Sequence, residues 1–282
     1  MAADFSKPPK ILVIHGVQTT DSNDFRQHQY VEAALTELLS RPDLHFAEPL
    51  EFEAAMFKYE DINDEASYLV QRILASMTGN SIAGWVVEQA VDLVADVFLA
   101  ISEGTVYEQV KQRLGNEIDA IHGQQQPLYL VAHSLGSFYA LEVINDLMGA
   151  FRFASGDKSQ WPVHGLTTIG SPLGLDIFRR DVNSLKQRKV AANVTTTPRF
   201  PWKNFWDRQD PIVTGSLLGY PKASDFPLRF NRQEAKKKGW SIRAEEINSG
   251  HTGHLFAHTA YWKNPTVAQG ILNTMYLNRE NN

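Results

Sequence analysis

Along the chain, short runs of apolar residues alternate with longer stretches in which apolar positions recur at three- and four-residue spacing. The short runs predict strands and the longer stretches predict helices. Six strands are predicted, at 10–15 (KILVIH), 51–59 (EFEAAMFKY), 127–132 (PLYLVA), 164–169 (HGLTTI), 202–206 (WKNFW) and 241–247 (SIRAEEI). Helices are predicted at 27–40, 63–77, 81–101, 105–121, 137–147 and 266–277, the last opening after Asn264-Pro265, a natural helix start. Alternation of this kind is the signature of a parallel sheet covered by helices on both faces.

Two stretches depart from the simple alternation. Residues 61–121 put two or three helices where a crossover needs one, and Glu88, Asp92 and Asp96 form an acid stripe that leaves a wide apolar face opposite. Like charges at that spacing repel by about 0.2–0.5 kcal/mol per pair, so helix propensity alone did not select them. The apolar face has three readings: a surface packed on the core, a lid or acyl-chain cover over an active site, and a membrane-surface patch. A membrane span is disfavoured, because each mid-span acid costs roughly 2.5–3.5 kcal/mol to insert. The second stretch, 178–200, is polar and rich in Arg, Lys, Asn and Thr, and reads as a surface excursion.

Composition narrows the chemistry. With 282 residues and no cysteine, the chain has no disulfide, no thiolate-bound metal and no cysteine nucleophile, so covalent catalysis must use oxygen or nitrogen. Hydrophobic residues make up 43% and charged residues 21%, as in an ordinary soluble protein with an ample core, and a single domain over 1–282 is expected. Twenty-seven basic against 32 acidic side chains give a net charge of −5, and no basic run suggests nucleic acid as a partner. No cleavable signal is visible in MAADFSKPPK, so a cytoplasmic location is expected, with signal-less secretion also compatible.

The candidate chemistry centres on Ala132-His133-Ser134-Leu135-Gly136, between a predicted strand and a predicted helix. A sharp strand-to-helix turn strains its serine and requires small residues two before and two after it. The pentapeptide alone recurs by chance, and its bland reading is a helix-capping serine. A serine nucleophile needs a base, and the base an orienting acid, in the chain order serine, acid, histidine. Asp210, before Pro211 in WDRQDPIV, is the preferred acid because a residue before proline favours an extended turn. Asp207 is the alternative acid, its simpler reading being a turn-former or a partner for Arg208. His251, His254 and His258 follow the sixth strand, with His258 the preferred base. Their spacing also admits a zinc site, against which Gly250 and Gly253 argue by disfavouring a helix there. An oxyanion needs two amide donors; Leu135 supplies one at a helix start, and Val17, after Gly16 in the first loop, the other. His15 and His133 read as supporting residues outside the triad.

Together VIHG, LVAHSLGSFYALEVI, HGLTTIGSPLG, WKNFWDRQDPIV and HTAYWKNPTV resemble, in order, the motifs of the α/β-hydrolase superfamily, specifically its lipase-like and serine-esterase-like bacterial members of undefined substrate. The match spans most of the chain. The resemblance implies an α/β fold with six mostly parallel strands in the spatial order second, first, third, fourth, fifth, sixth, flanked by helices and carrying a cap-like helical insertion at about 61–121. It implies a Ser134–His258–Asp210 triad, an oxyanion hole at Val17 and Leu135, and a substrate site lined by Gly16, His133, Ser171 and Pro172. It requires no cofactor or metal. The implied activity is carboxylic-ester hydrolysis on a small-molecule ester or lipid. Phospholipase, thioesterase or amidase activity on the same residues is an alternative, as is a binding protein that kept the fold without turnover. Ala132 in place of the usual glycine, HGVQ in place of HGGG, and a start on the family's third strand are departures from the pattern.

Overall fold

The computed structural model describes residues 2–16, 26–41, 51–59, 105–149, 160–172, 201–214, 241–248, 250 and 254–279. In chain order these form β1 (Lys10–Ile14), α1 (Gln27–Leu39), β2 (Glu53–Phe57), α2 (Thr105–Gly123), β3 (Leu128–His133), α3 (Gly136–Gly149), β4 (Gly165–Ile169) and β5 (Pro201–Trp206). There follow α4 (Pro211–Thr214), β6 (Ser241–Glu246), α5 (His254–Thr259), a 3-10 turn (Ala260–Lys263) and α6 (Pro265–Arg279). The predicted helices at 63–77 and 81–101, with the acid stripe, and the polar stretch 178–200 lie outside the described residues.

All six strands join one sheet in the order β2-β1-β3-β4-β5-β6, and every neighbouring pair is parallel. The expected strand order is the observed one. In β1, Ile11, Leu12, Val13 and Ile14 are all fully buried, which explains why the run is continuously apolar rather than alternating. Ile11 and Val13 join Tyr129, Val131, Ile169 and Phe205 in a core with α1 and α6. Leu12 and Ile14 point to the opposite face by the two-residue period, where α2 and α3 pack on the sheet and on each other. The last helix of the 61–121 stretch, α2, is therefore part of a layer that covers the sheet. At the edges, β2 carries exposed Glu53 and β6 exposed Glu245 and Glu246, charges that discourage addition of a further strand.

Helix ends follow the sequence chemistry. Asn264 has extended backbone before Pro265, and its Oδ1 accepts the Thr266 amide at 2.9 Å, capping α6 where the Asn-Pro pair predicts a start. The histidine segment differs from expectation. Gly250 and Gly253 argue against a helix there, yet α5 begins at His254, immediately past the second glycine. The glycines precede a helix rather than interrupt one. Strand register brings His133, Ile169 and Phe205 to one level at the carboxyl ends of β3, β4 and β5. Ligand sites of parallel sheets form beyond that edge.

Candidate active site

β3 ends at His133 and α3 begins at Gly136, so Ser134 and Leu135 make the whole turn. Ser134 sits at φ +52°, a left-handed conformation that costs roughly 1–2 kcal/mol for a residue with a Cβ. The neighbours hold it there. Its amide donates to the Ile169 carbonyl at 3.0 Å, and its own carbonyl accepts the Ser137 amide at 3.0 Å and the Ser137 hydroxyl. Because that hydroxyl has one proton and the carbonyl can only accept, the buried Ser171 hydroxyl donates in turn to Ser137, 2.7 Å away. Ser171 thus braces the turn from the loop after β4, with buried Pro172 beside it. A side chain at Gly136 would run into the carbonyls of Ile14 and His15, which is the physical content of the small-residue requirement. Ala132 meets the same requirement from inside the sheet, fully buried.

The acid and the histidine meet beyond β5. Asp210 is completely buried, and its Oδ2 lies 2.8 Å from Nδ1 of His258, whose side chain is 17% exposed. The other carboxylate oxygen accepts the Ile212 amide at 3.0 Å, so Asp210 also caps the short helix α4 that Pro211 opens. The six-stranded parallel sheet in this order, with helices packed on both faces, defines the architecture. The chain has an α/β-hydrolase-like fold.

Within this α/β-hydrolase-like frame, Asp207 takes the bland of its two expected roles. It is buried, and its Oδ1 accepts the Gln209 amide at 2.8 Å, closing the turn after β5. Arg208 reaches outward to Glu246 through a pair of hydrogen bonds, one of them 3.0 Å long, and the Asp207 charge adds a lesser attraction. Gly170, at φ +55°, leaves room for the acid–histidine pair. A methyl there would sit 3.1 Å from Oδ2 of Asp210, 3.2 Å from Cε1 of His258 and 2.9 Å from the Tyr261 ring.

His133 lies 8% exposed beneath His258, with ring centroids 4.5 Å apart, and its Nε2 donates to the His258 carbonyl at 2.7 Å. His15 is buried and stacked on Tyr59 at 4.8 Å, and its Nδ1 bonds the Gly16 carbonyl. The Tyr59 hydroxyl donates to the His15 carbonyl at 2.9 Å, so the start of the loop after β1 is tied from the segment just past β2 as well. Gly16 abuts Ser134: a Cβ on the glycine would lie 2.5 Å from the Ser134 Cβ and 3.0 Å from Oγ. Leu135 is buried directly before α3, where a helix start leaves amides without an intrahelical acceptor. Val17, His251 and the His254 side chain lie outside the described residues.

Sequence reasoning missed Tyr261, whose fully buried hydroxyl touches Asp210 at 2.8 Å. The signal was its position three residues after His258, which places the two side chains on one face once the segment is helical.

No family model matches the chain, and no curated protein matches it. Among solved structures, a soluble variant of monoglyceride lipase from Saccharomyces cerevisiae, in complex with a substrate analog, is similar over 97% of this chain and 89% of its own, at 11% identity and a TM-score of 0.38. That likeness is too slight to bear on chemistry.

Proposed function

We propose that the protein is a serine hydrolase that cleaves carboxylic esters through an acyl-enzyme intermediate. The observation that carries the reading is the buried Asp210 carboxylate on Nδ1 of the partly exposed His258, at the sheet edge where Ser134 is held in a left-handed turn. An acid bonded to Nδ1 keeps the proton on that nitrogen and leaves the Nε2 lone pair to act as base.

In this mechanism Ser134 Oγ attacks the acyl carbon while His258 Nε2 takes the hydroxyl proton. The carbonyl oxygen becomes an oxyanion, which the Leu135 amide and the Val17 amide stabilise. Collapse of the tetrahedral intermediate breaks the bond to the alcohol, which leaves with the proton carried by His258. Water then repeats the sequence on the acyl-enzyme and regenerates Ser134. The apolar face expected over 81–101 favours medium or long acyl chains.

Labelling the folded protein with a fluorophosphonate, followed by peptide mass analysis, tests the reading. Modification of Ser134, absent in Ser134→Ala, is expected. An unmodified Ser134 overturns it. A chain-length panel of model esters tests the acyl preference, which a higher kcat/KM for acetate than for octanoate would remove.

A further inference from the structure

We propose that Tyr261 is a positioning residue for the acid–histidine pair, its buried hydroxyl fixing the one carboxylate oxygen of Asp210 that fixes His258. The proposal rests on the serine-hydrolase reading above. Tyr261 is fully buried in the 3-10 turn three residues past His258. Its hydroxyl oxygen accepts the Asp207 amide at 2.9 Å and donates to Oδ2 of Asp210 at 2.8 Å. The direction follows from the amide, which can only donate, so the hydroxyl's own proton is left for Oδ2. Burial first, and then the neighbouring Asp210, hold the phenol well above its ordinary pKa, so it stays a donor throughout the working range.

Oδ2 therefore receives two donors, the Tyr261 hydroxyl and the His258 Nδ1–H, both at 2.8 Å, while the other oxygen is taken by the Ile212 amide. The carboxylate cannot rotate about its last bond without breaking one of these contacts. The imidazole that leans on it inherits that orientation. A chain of bonds runs from the backbone of Asp207 through the tyrosine to the carboxylate, so the turn after β5 and the turn after α5 set the position of the base together. The arrangement is distinct from a salt bridge: Tyr261 adds no charge, only a dipole aimed at the oxygen that holds the imidazole.

Two consequences separate positioning from mere packing. Without the hydroxyl, the carboxylate swings, and its negative charge is less drawn off by hydrogen bonding. The first effect lowers kcat; the second stabilises the imidazolium and raises the acid limb of the pH profile. Titratable groups near the pair include Asp207 from the same turn, His133 from β3, with His15 behind it, and Tyr261 itself; the substitution removes the Tyr261 hydroxyl and leaves the other side chains in place.

The test compares wild type, Tyr261→Phe and protein carrying 3-fluorotyrosine at position 261, a stronger donor. For Tyr261→Phe, kcat falls about 10-fold with KM within about twofold, and the acid limb of kcat/KM moves up by about half a pH unit. For the fluorotyrosine protein the limb moves down. The far-downfield proton NMR signal of the His258 Nδ1–H shifts in opposite directions in the two proteins. If wild type turns over esters and neither protein moves the limb or the NMR signal, the proposal is overturned while the hydrolase reading stands. If Ser134 of wild type neither labels nor turns over, that reading falls first. Should Tyr261→Phe fail to fold, the fluorotyrosine protein alone decides by the direction of its shift.

Discussion

The imidazole of His133 donates to the main-chain carbonyl of His258 across 2.7 Å, joining the residue before Ser134 to the histidine 125 positions later. Burial first, then the neighbouring His258, holds His133 well below the ordinary histidine pKa, against the opposing pull of its own hydrogen bond. The ring is neutral, and since a carbonyl only accepts, its proton is on Nε2. His133 thus braces the backbone of His258 from beneath.

His133→Ala leaves that carbonyl unpaired and opens a gap under His258. Stability is expected to drop by about 1–3 kcal/mol in urea denaturation, with kcat falling further than KM changes. His133→Gln, which restores an amide donor of similar reach, recovers part of both. Equal losses in the two variants would mean that the hydrogen bond has no role.

Gly16 has no room for a side chain against Ser134, since a methyl group there would come within 2.5 Å of the serine Cβ. Gly16→Ala is expected to displace Ser134 and lower kcat about 100-fold, because displacements near 1 Å carry such costs. Far-UV circular dichroism should be unchanged. Retained turnover would show that the loop after β1 yields instead of the serine.

Two buried acids lie three residues apart and are expected to behave differently. Asp210→Asn removes the charge that holds Nδ1–H and should lower kcat by about 10⁴-fold, the scale of such a loss in the Ser-His-Asp template. Asp207→Asn still offers a side-chain oxygen to the Gln209 amide, and is expected to keep more than a tenth of the activity while losing about 1 kcal/mol of stability. Steady-state kinetics on both variants checks the assignment, and a larger loss from Asp207→Asn would reverse it.

His164 lies before β4, edge-on to Phe5 at 4.9 Å, and burial, aided by His122, lowers its pKa to about 4. Below about pH 6.5 the unfolded chain binds a proton there that the folded protein refuses. Its contribution is therefore complete above that pH and is lost as pH falls toward 4, by up to about 3 kcal/mol. Urea denaturation between pH 7 and 4 should show a shallower decline in His164→Phe than in wild type. His133 titrates in the same direction in both proteins, so the difference reports His164 together with its coupling to His122.

Local pattern predicts the elements well wherever both faces or one stripe of an element are buried. KILVIH reads as a strand because β1 is covered on both sides, and the Asn264-Pro265 start holds because capping depends on neighbouring residues alone. The helix at His254–Thr259 escapes prediction because a six-residue helix shows less than two turns of period and follows two glycines. Proximity in sequence pairs Arg208 with Asp207, yet its partner Glu246 comes from the adjacent strand β6, 38 residues on.

What the sequence determined by itself is the alternation of strand and helix, the serine in its strand-to-helix turn, and the order in which serine, acid and histidine candidates occur, since each is written in short-range spacing. Tertiary structure alone decided which side chains brace one another: Tyr261 on Asp210, His133 on His258, Ser171 on the turn through Ser137. Those contacts depend on strand register and on how turns from different strands converge at one edge of the sheet. No local pattern of residues encodes that convergence, because burial of the whole sheet between its helices produces it.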